Sequence, residues 1–288
     1  MEDNRQMKKL FLLDYKTIDD SYWNNPDNPV LQMLERYSKG IGDYEQNELT
    51  EAIFIRLGWS NKYKDTIFSF RTIICKIIEV YSEKNVIKLN DDKRIKFYFK
   101  GNTLRYEING QQKDKYQYSK EKLYEKAINE TIALNQIMNK IFEDKELFER
   151  LKIVAGLVDS LSNFTPHPGY PFNQAKGNLE TIADNLNLMI DKVQKCINDD
   201  KDLLYGNNYK IERRKLIEWK DWFVRNQESY CLNNIYEIKD DKMVGINLFD
   251  TQSLGKPLPT NKEEILKYLD NMINILNVRG EKMNMSIR

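Results

Sequence analysis

Three prolines within six residues set the geometry at the middle of this chain. Pro166, Pro168 and Pro171 each fix φ, remove a backbone donor, and push Thr165, His167 and Tyr170 toward extended geometry. The segment is therefore neither helix nor central strand. Gly169 and Gly177 supply the freedom for a reversal. Phe164, Tyr170 and Phe172 sit in this stiff loop with few charges around them, and burying each contributes about 1.5–3 kcal/mol. A loop of that composition packs onto a core. Beyond Gly177, Leu179, Ile182, Leu186, Met189, Ile190 and Val193 fall on one helical stripe.

On either side the patterns are mainly helical. Pro29 opens a helix to about Lys39, with Val30, Leu31, Leu34 and Tyr37 inward. A second runs from Glu45 to Leu57, and a third from about Thr66 to Ser82 is apolar around more than half its circumference. Ser119 to about Val154 is helical with a break near Glu143-Asp144. Glu212 to Asn226 carries Leu216, Trp219 and Phe223 on one side. Thr260 with Glu263 forms a capping box for a last helix, Glu263 to Leu276.

Two stretches break this pattern. Ile95, Phe97 and Phe99 alternate with Lys96, Tyr98 and Lys100, and Leu104, Tyr106 and Ile108 alternate with Arg105 and Glu107 across Gly101-Asn102. That is a hairpin signal, followed by a second turn at Asn109-Gly110. Tyr236–Ile238 and Val244–Leu248 around Lys239-Asp-Asp-Lys242 read as another hairpin. The fold class expected is α+β: a single mainly helical domain over 1–288, with a β-hairpin insert at 85–110.

Composition narrows the function classes. With 45 basic and 44 acidic residues the net charge is +1, which argues against a global footprint for nucleic acid. No apolar run approaches about 18 residues, so no membrane span is expected, and the apolar run near the N-terminus is too short for a signal peptide. Cys75, Cys196 and Cys231 are scattered and odd in number, which suits free thiols in a reducing cytoplasm.

Catalytic groupings are sparse. His167 is the only imidazole, and its two proline neighbours favour a locally bonded loop residue over a general base. One histidine and three distant cysteines give no zinc spacing, and no metal or cofactor is expected. The acid pairs Asp19-Asp20, Asp91-Asp92, Asp199-Asp200 and Asp240-Asp241 sit where turns are expected anyway. Glu237-Ile-Lys239 matches an acid-x-Lys tripeptide of the kind nucleases use, in a chain so charged that chance matches arise. Lys176-Gly177 opens a helix and offers an anion a helix N-terminus, though the packing reading of that turn is preferred. If the chain were an enzyme, a hydrolase or nuclease acting on phosphate esters, with or without Mg²⁺, would gather His167, Asn173, Lys176 and Asp184. The run Lys210–Arg225 mixes Arg213, Arg214, Lys215 and Lys220 with Trp219, Trp222 and Phe223, but helical spacing sends the aromatics to the core and the charges to water. Nucleic acid is not the expected partner.

The run Asn173-Gln-Ala-Lys176-Gly177, followed by Ile182, Asp184, Leu186 and Leu188, resembles a motif of an uncharacterised domain-of-unknown-function family of bacterial and phage proteins. In that family an Asn-x-x-Arg/Lys-Gly turn leads into an Ile-x-Asp-Arg…Asp-Leu helix. Trp222-Phe223, Tyr230, Leu248-Phe249, Leu258-Pro259 and a closing Arg279 echo it further on. Asn185 and Asn187 stand where the family carries Arg and Asp. The resemblance supplies no reaction. Its phage side implies an inhibitor that binds and blocks a host defence complex. The expectation is a non-enzymatic protein whose partner is another, host-encoded protein complex. Phe97, Tyr98, Phe99 and Tyr106 of the hairpin are the interaction residues, and the same edge allows a homo-oligomer.

Overall fold

The computed structural model describes residues 29–30, 32–33, 55–59, 64–84, 87–89, 93–100, 103–112, 133–167, 185–205, 209–248 and 259–287. The fold is α+β, mainly helical with small antiparallel sheets. Strand β1 (Lys64–Thr66) leads into α1 (Phe70–Lys84). Strands β2 (Ile87–Leu89), β3 (Lys93–Lys100), β4 (Thr103–Ile108) and β5 (Gln111–Gln112) follow. Residues 133–143 are helical, then come α2 (Lys145–Leu157), a 3-10 turn at Leu161–Asn163 and β6 (Phe164–Pro166). Next are α3 (Leu186–Asn198), β7 (Leu203–Tyr205), β8 (Tyr209–Ile211) and α4 (Arg213–Asn226). Strands β9 (Tyr236–Lys239) and β10 (Lys242–Gly245) precede α5 (Lys262–Ile287). Among the described residues no helix is long and apolar enough to cross a membrane.

The chain divides into two compact units. One comprises Met1–Gly42, Arg71–Gly156 and Thr260–Leu266; the other comprises Asp43–Phe70, Leu157–Pro259 and Lys267–Arg288.

In the first unit, α1 is buried on nearly every side, through Ile73, Ile74, Cys75, Ile77, Ile78 and Val80. Its half-buried polar positions, Lys76 and Glu79, pair with each other one turn apart. The strands β2-β3-β4-β5 form one antiparallel sheet, so the expected hairpin is the centre of a four-stranded element. Phe97 faces Tyr106 and Ile95 faces Ile108 in the register, which puts the apolar alternation on one face. That face closes a core: Ile95 is 1% and Phe97 4% exposed. Where β2 stops, the Ser82 hydroxyl of α1 accepts the Phe97 N–H at 2.6 Å and so continues the edge of β3 with a side chain. Asn109 and Gly110 both take positive φ, 52° and 75°, as a two-residue turn into a strand requires.

The expected helix break at Glu143-Asp144 is real. Asp144 caps α2, accepting the Leu147 N–H on Oδ1 (3.3 Å) and the Phe148 N–H on its carbonyl (2.8 Å). The same carboxylate accepts the Tyr81 hydroxyl at 2.6 Å and lies 2.6 Å from Lys262 Nζ at the start of α5. Desolvation alone would raise the Asp144 carboxyl. The hydrogen bonds from Lys262 and Tyr81 outweigh it and hold the group below its ordinary 3.8. Burial first, then the bond to Asp144, raises the Tyr81 phenol, which stays neutral. The capping of α5 differs from expectation by one residue. Asn261 Oδ1 accepts the Glu264 N–H at 2.9 Å, and Glu264, not Glu263, reaches back to the Thr260 N–H and hydroxyl. The box is therefore Asn261-x-x-Glu264, which places the acid at the third helical position where its reach fits.

In the second unit, β1 pairs antiparallel with β6, Thr66 opposite Phe164 and Lys64 opposite Pro166. Residues 66–69, expected as the start of a helix, are extended instead: Thr66 ends β1 and Phe68 bridges Asn185. Pairing with residues far along the chain overrides the local apolar period, and β-branched Thr66 suits a strand. The helix expected from Gly177 onward is interrupted: Asn185 is extended (φ −129°, ψ 103°) because its backbone pairs with Phe68. Helix α3 starts only at Leu186, burying Leu186, Met189, Ile190 and Val193, while α4 buries Leu216, Trp219 and Phe223 as its stripe requires. The β9–β10 hairpin is tighter than expected. Lys239 faces Lys242, and Asp240 (φ 49°) and Asp241 (φ 61°) form a two-residue turn. Strands β7 and β8 make a further pair that the sequence reading did not anticipate. Helix α5 continues to Ile287, well beyond Leu276, because Met272, Leu276, Arg279 and Met283 extend its buried stripe.

Two expectations follow. Asp144 is depressed in the folded state, so its stabilisation is fully present above 3.8 and is lost as pH falls through the folded value. Asp144→Asn should therefore be less stable than wild type at neutral pH, and the gap should close below about pH 4. Denaturant melts across that range check it; a constant gap refutes the assignment. At Gly245, an added Cβ would stand 2.2 Å from the Asn187 carbonyl oxygen. Gly245→Ala should push β10 off α3 and cost about 1–3 kcal/mol in urea unfolding.

Candidate functional site

The proline-stiffened bend is the one place where the sequence allowed a catalytic cluster, and it lies in the second unit. Its first half is described. The backbone turns through Leu161–Asn163, where the Ser160 hydroxyl donates to the Leu157 carbonyl at 2.6 Å. Asn163 is fully buried and spends its amide on neighbouring backbone. Its Nδ2 donates to the carbonyls of Phe68 and Val158, both at 2.8 Å, and its Oδ1 accepts the Phe68 N–H at 2.9 Å. Its own carbonyl accepts the Ile67 N–H at 2.7 Å. One side chain thus prolongs the β1–β6 pairing past the end of both strands. No sequence pattern singled out Asn163.

Arg279 of α5 holds the same turn from the other side. Its guanidinium is 1% exposed. Nη1 donates to the carbonyls of Ser162 and Phe164 (2.8 Å to the latter), with Leu161 at 3.5 Å. Nε and Nη2 both donate to the Tyr230 carbonyl, at 3.2 and 3.0 Å. The guanidinium carbon lies 5.5 Å from the Trp59 ring centre, a cation–π distance. No carboxylate faces it among the described residues. Burial pulls the group down to about 9, which leaves it charged at neutral pH. The planar fork suits carbonyls on two sides at once, a geometry that lysine's single ammonium lacks.

His167, at the end of β6, is 0% exposed. The rings of Trp219 and Phe223 on α4 meet it edge-on, each with its centre 6.1 Å away. Trp219 and Phe223 are 4.2 Å apart, and Trp222, Tyr230 and Trp59 carry the ring contacts on toward Arg279. A general base must come within hydrogen-bond reach of a substrate proton, and the His167 imidazole is fully buried against these two rings. Of its proposed companions, Asn173, Lys176 and Asp184 lie outside the described residues. Asn185 and Asn187, next in sequence, are buried. Asn185 Oδ1 accepts the Tyr268 hydroxyl, and Asn187 Nδ2 donates to the Ile246 carbonyl at 2.9 Å. Asn185 Nδ2, Asn187 Oδ1 and the Thr165 hydroxyl, all buried, have no hydrogen-bond partner.

The remaining candidates divide by position. Asp200 pairs with Arg213 at 2.9 Å, and Asp241 pairs with Lys220 at 3.2 Å from its hairpin turn. Glu237 and Lys239 pair with each other. Asp19-Asp20 and Asp91-Asp92 lie outside the described residues. On α4, Arg214 and Lys215 both pair with Glu218, so the cations proposed for nucleic acid are engaged within the chain. Among the described residues no group of three or more His, Cys, Asp or Glu side chains is placed to hold a metal ion.

The interaction residues of the β3–β4 hairpin separate by face. Phe97, Phe99 and Tyr106 occupy the apolar register, and Phe97 meets Tyr106 with ring centres 6.4 Å apart. Phe97 is thus a core residue rather than a surface anchor, because strand alternation sends it inward with Ile95. Tyr98 stands on the opposite face, half-buried, with a hydroxyl that has no hydrogen-bond partner.

Arg279→Lys tests the account of the turn. It should cost about 2–4 kcal/mol in urea unfolding, because several of the four carbonyls lose their donor inside the core. Unfolding at the wild-type denaturant concentration would show that the fork is dispensable.

No family model, no curated protein and no solved structure matches this chain.

Proposed function

We propose that the chain is a non-enzymatic binding protein that engages another protein complex through the sheet β2–β5. The observation that carries this reading is the division of that sheet into two unlike faces. The apolar face closes the core of the first unit, while Arg94 is exposed and Lys96, Tyr98 and Glu107 are half-buried on the other. A sheet held by one face to a helical core offers a rigid surface at little ordering cost. The burial of His167 among aromatic rings supports the same reading against a hydrolase centred on it.

Taken with the motif Asn173-Gln-Ala-Lys176-Gly177 and its likeness to bacterial and phage proteins, the concrete form is an inhibitor that blocks a host defence complex inside the bacterial cytoplasm. Self-association through an edge of the sheet is compatible with that role.

Affinity capture of the full chain from a lysate of a defence-bearing bacterium, followed by chemical cross-linking and mass spectrometry, tests the proposal. A stoichiometric protein partner cross-linked to lysines of 88–100 is the expected result. Capture without a stoichiometric partner, or cross-links confined to the second unit, would sink it.

A further inference from the structure

We draw no further inference here: the strongest candidate, the N-terminus of α3 with the buried, unpartnered Nδ2 of its cap residue Asn185, carries nothing, because that side chain makes no capping hydrogen bond and gives its Oδ1 to Tyr268, and among the described residues nothing directs the amide at a ligand.

Discussion

A guanidinium with no carboxylate facing it among the described residues sits at the centre of the second unit. Arg279 reaches four backbone carbonyls belonging to two separate segments, 161–164 and Tyr230. Taking a charge out of water is costly, and carbonyl dipoles offset that cost only if they are held in place. Here they are held. Asn163 ties the first segment to Phe68 and Val158, and the Trp59 indole N–H donates to the Ser229 carbonyl at 2.9 Å beside the second. Around this fork Trp59, Phe164 and Met283 form a buried cluster with Leu57, Leu161, Tyr230 and Cys231 packed on it. Once the fork fixes residues 161–164, strand β6 is placed, and with it β1 and the buried His167.

The first unit solves a related problem in a conventional way. Asp144 is partly buried, but it has a full set of partners: a lysine, a phenol and the N–H of the helix it caps. Its charge is stabilised by opposite charge, whereas the charge of Arg279 is stabilised by dipoles and an aromatic face. The two arrangements respond differently to conditions. The Asp144 cluster weakens as acid protonates the carboxylate, while the carbonyls around Arg279 do not titrate.

Function follows from what each unit leaves outside. In the second, Trp219 and Phe223 are buried and Trp222 half-buried, and the nearby cations Arg213, Arg214, Lys215 and Lys220 each pair with an acidic neighbour. In the first, a sheet is pressed to its core by Ile95 and Phe97, with Arg94 exposed and Lys96, Tyr98 and Glu107 half-buried on its other face. That placement carries the proposed role in binding.

By itself the sequence determined the elements whose signals are local. The period of Leu186, Met189, Ile190 and Val193 marked the body of α3 though not its start, Asn109-Gly110 and Asp240-Asp241 marked two turns, and Asp144 marked the break before α2. Only the tertiary structure decided the rest. Thr66 and Phe68 left the helix because partners at 164 and 185 claimed their backbone. Helix α5 ran on past Leu276 because Arg279 occupies an apolar stripe position, where a charge reads as an ending until its carbonyl partners are seen. Local propensity is written over a few neighbouring residues, but the free energy of burying a charge or pairing a strand depends on groups that only the folded chain brings together.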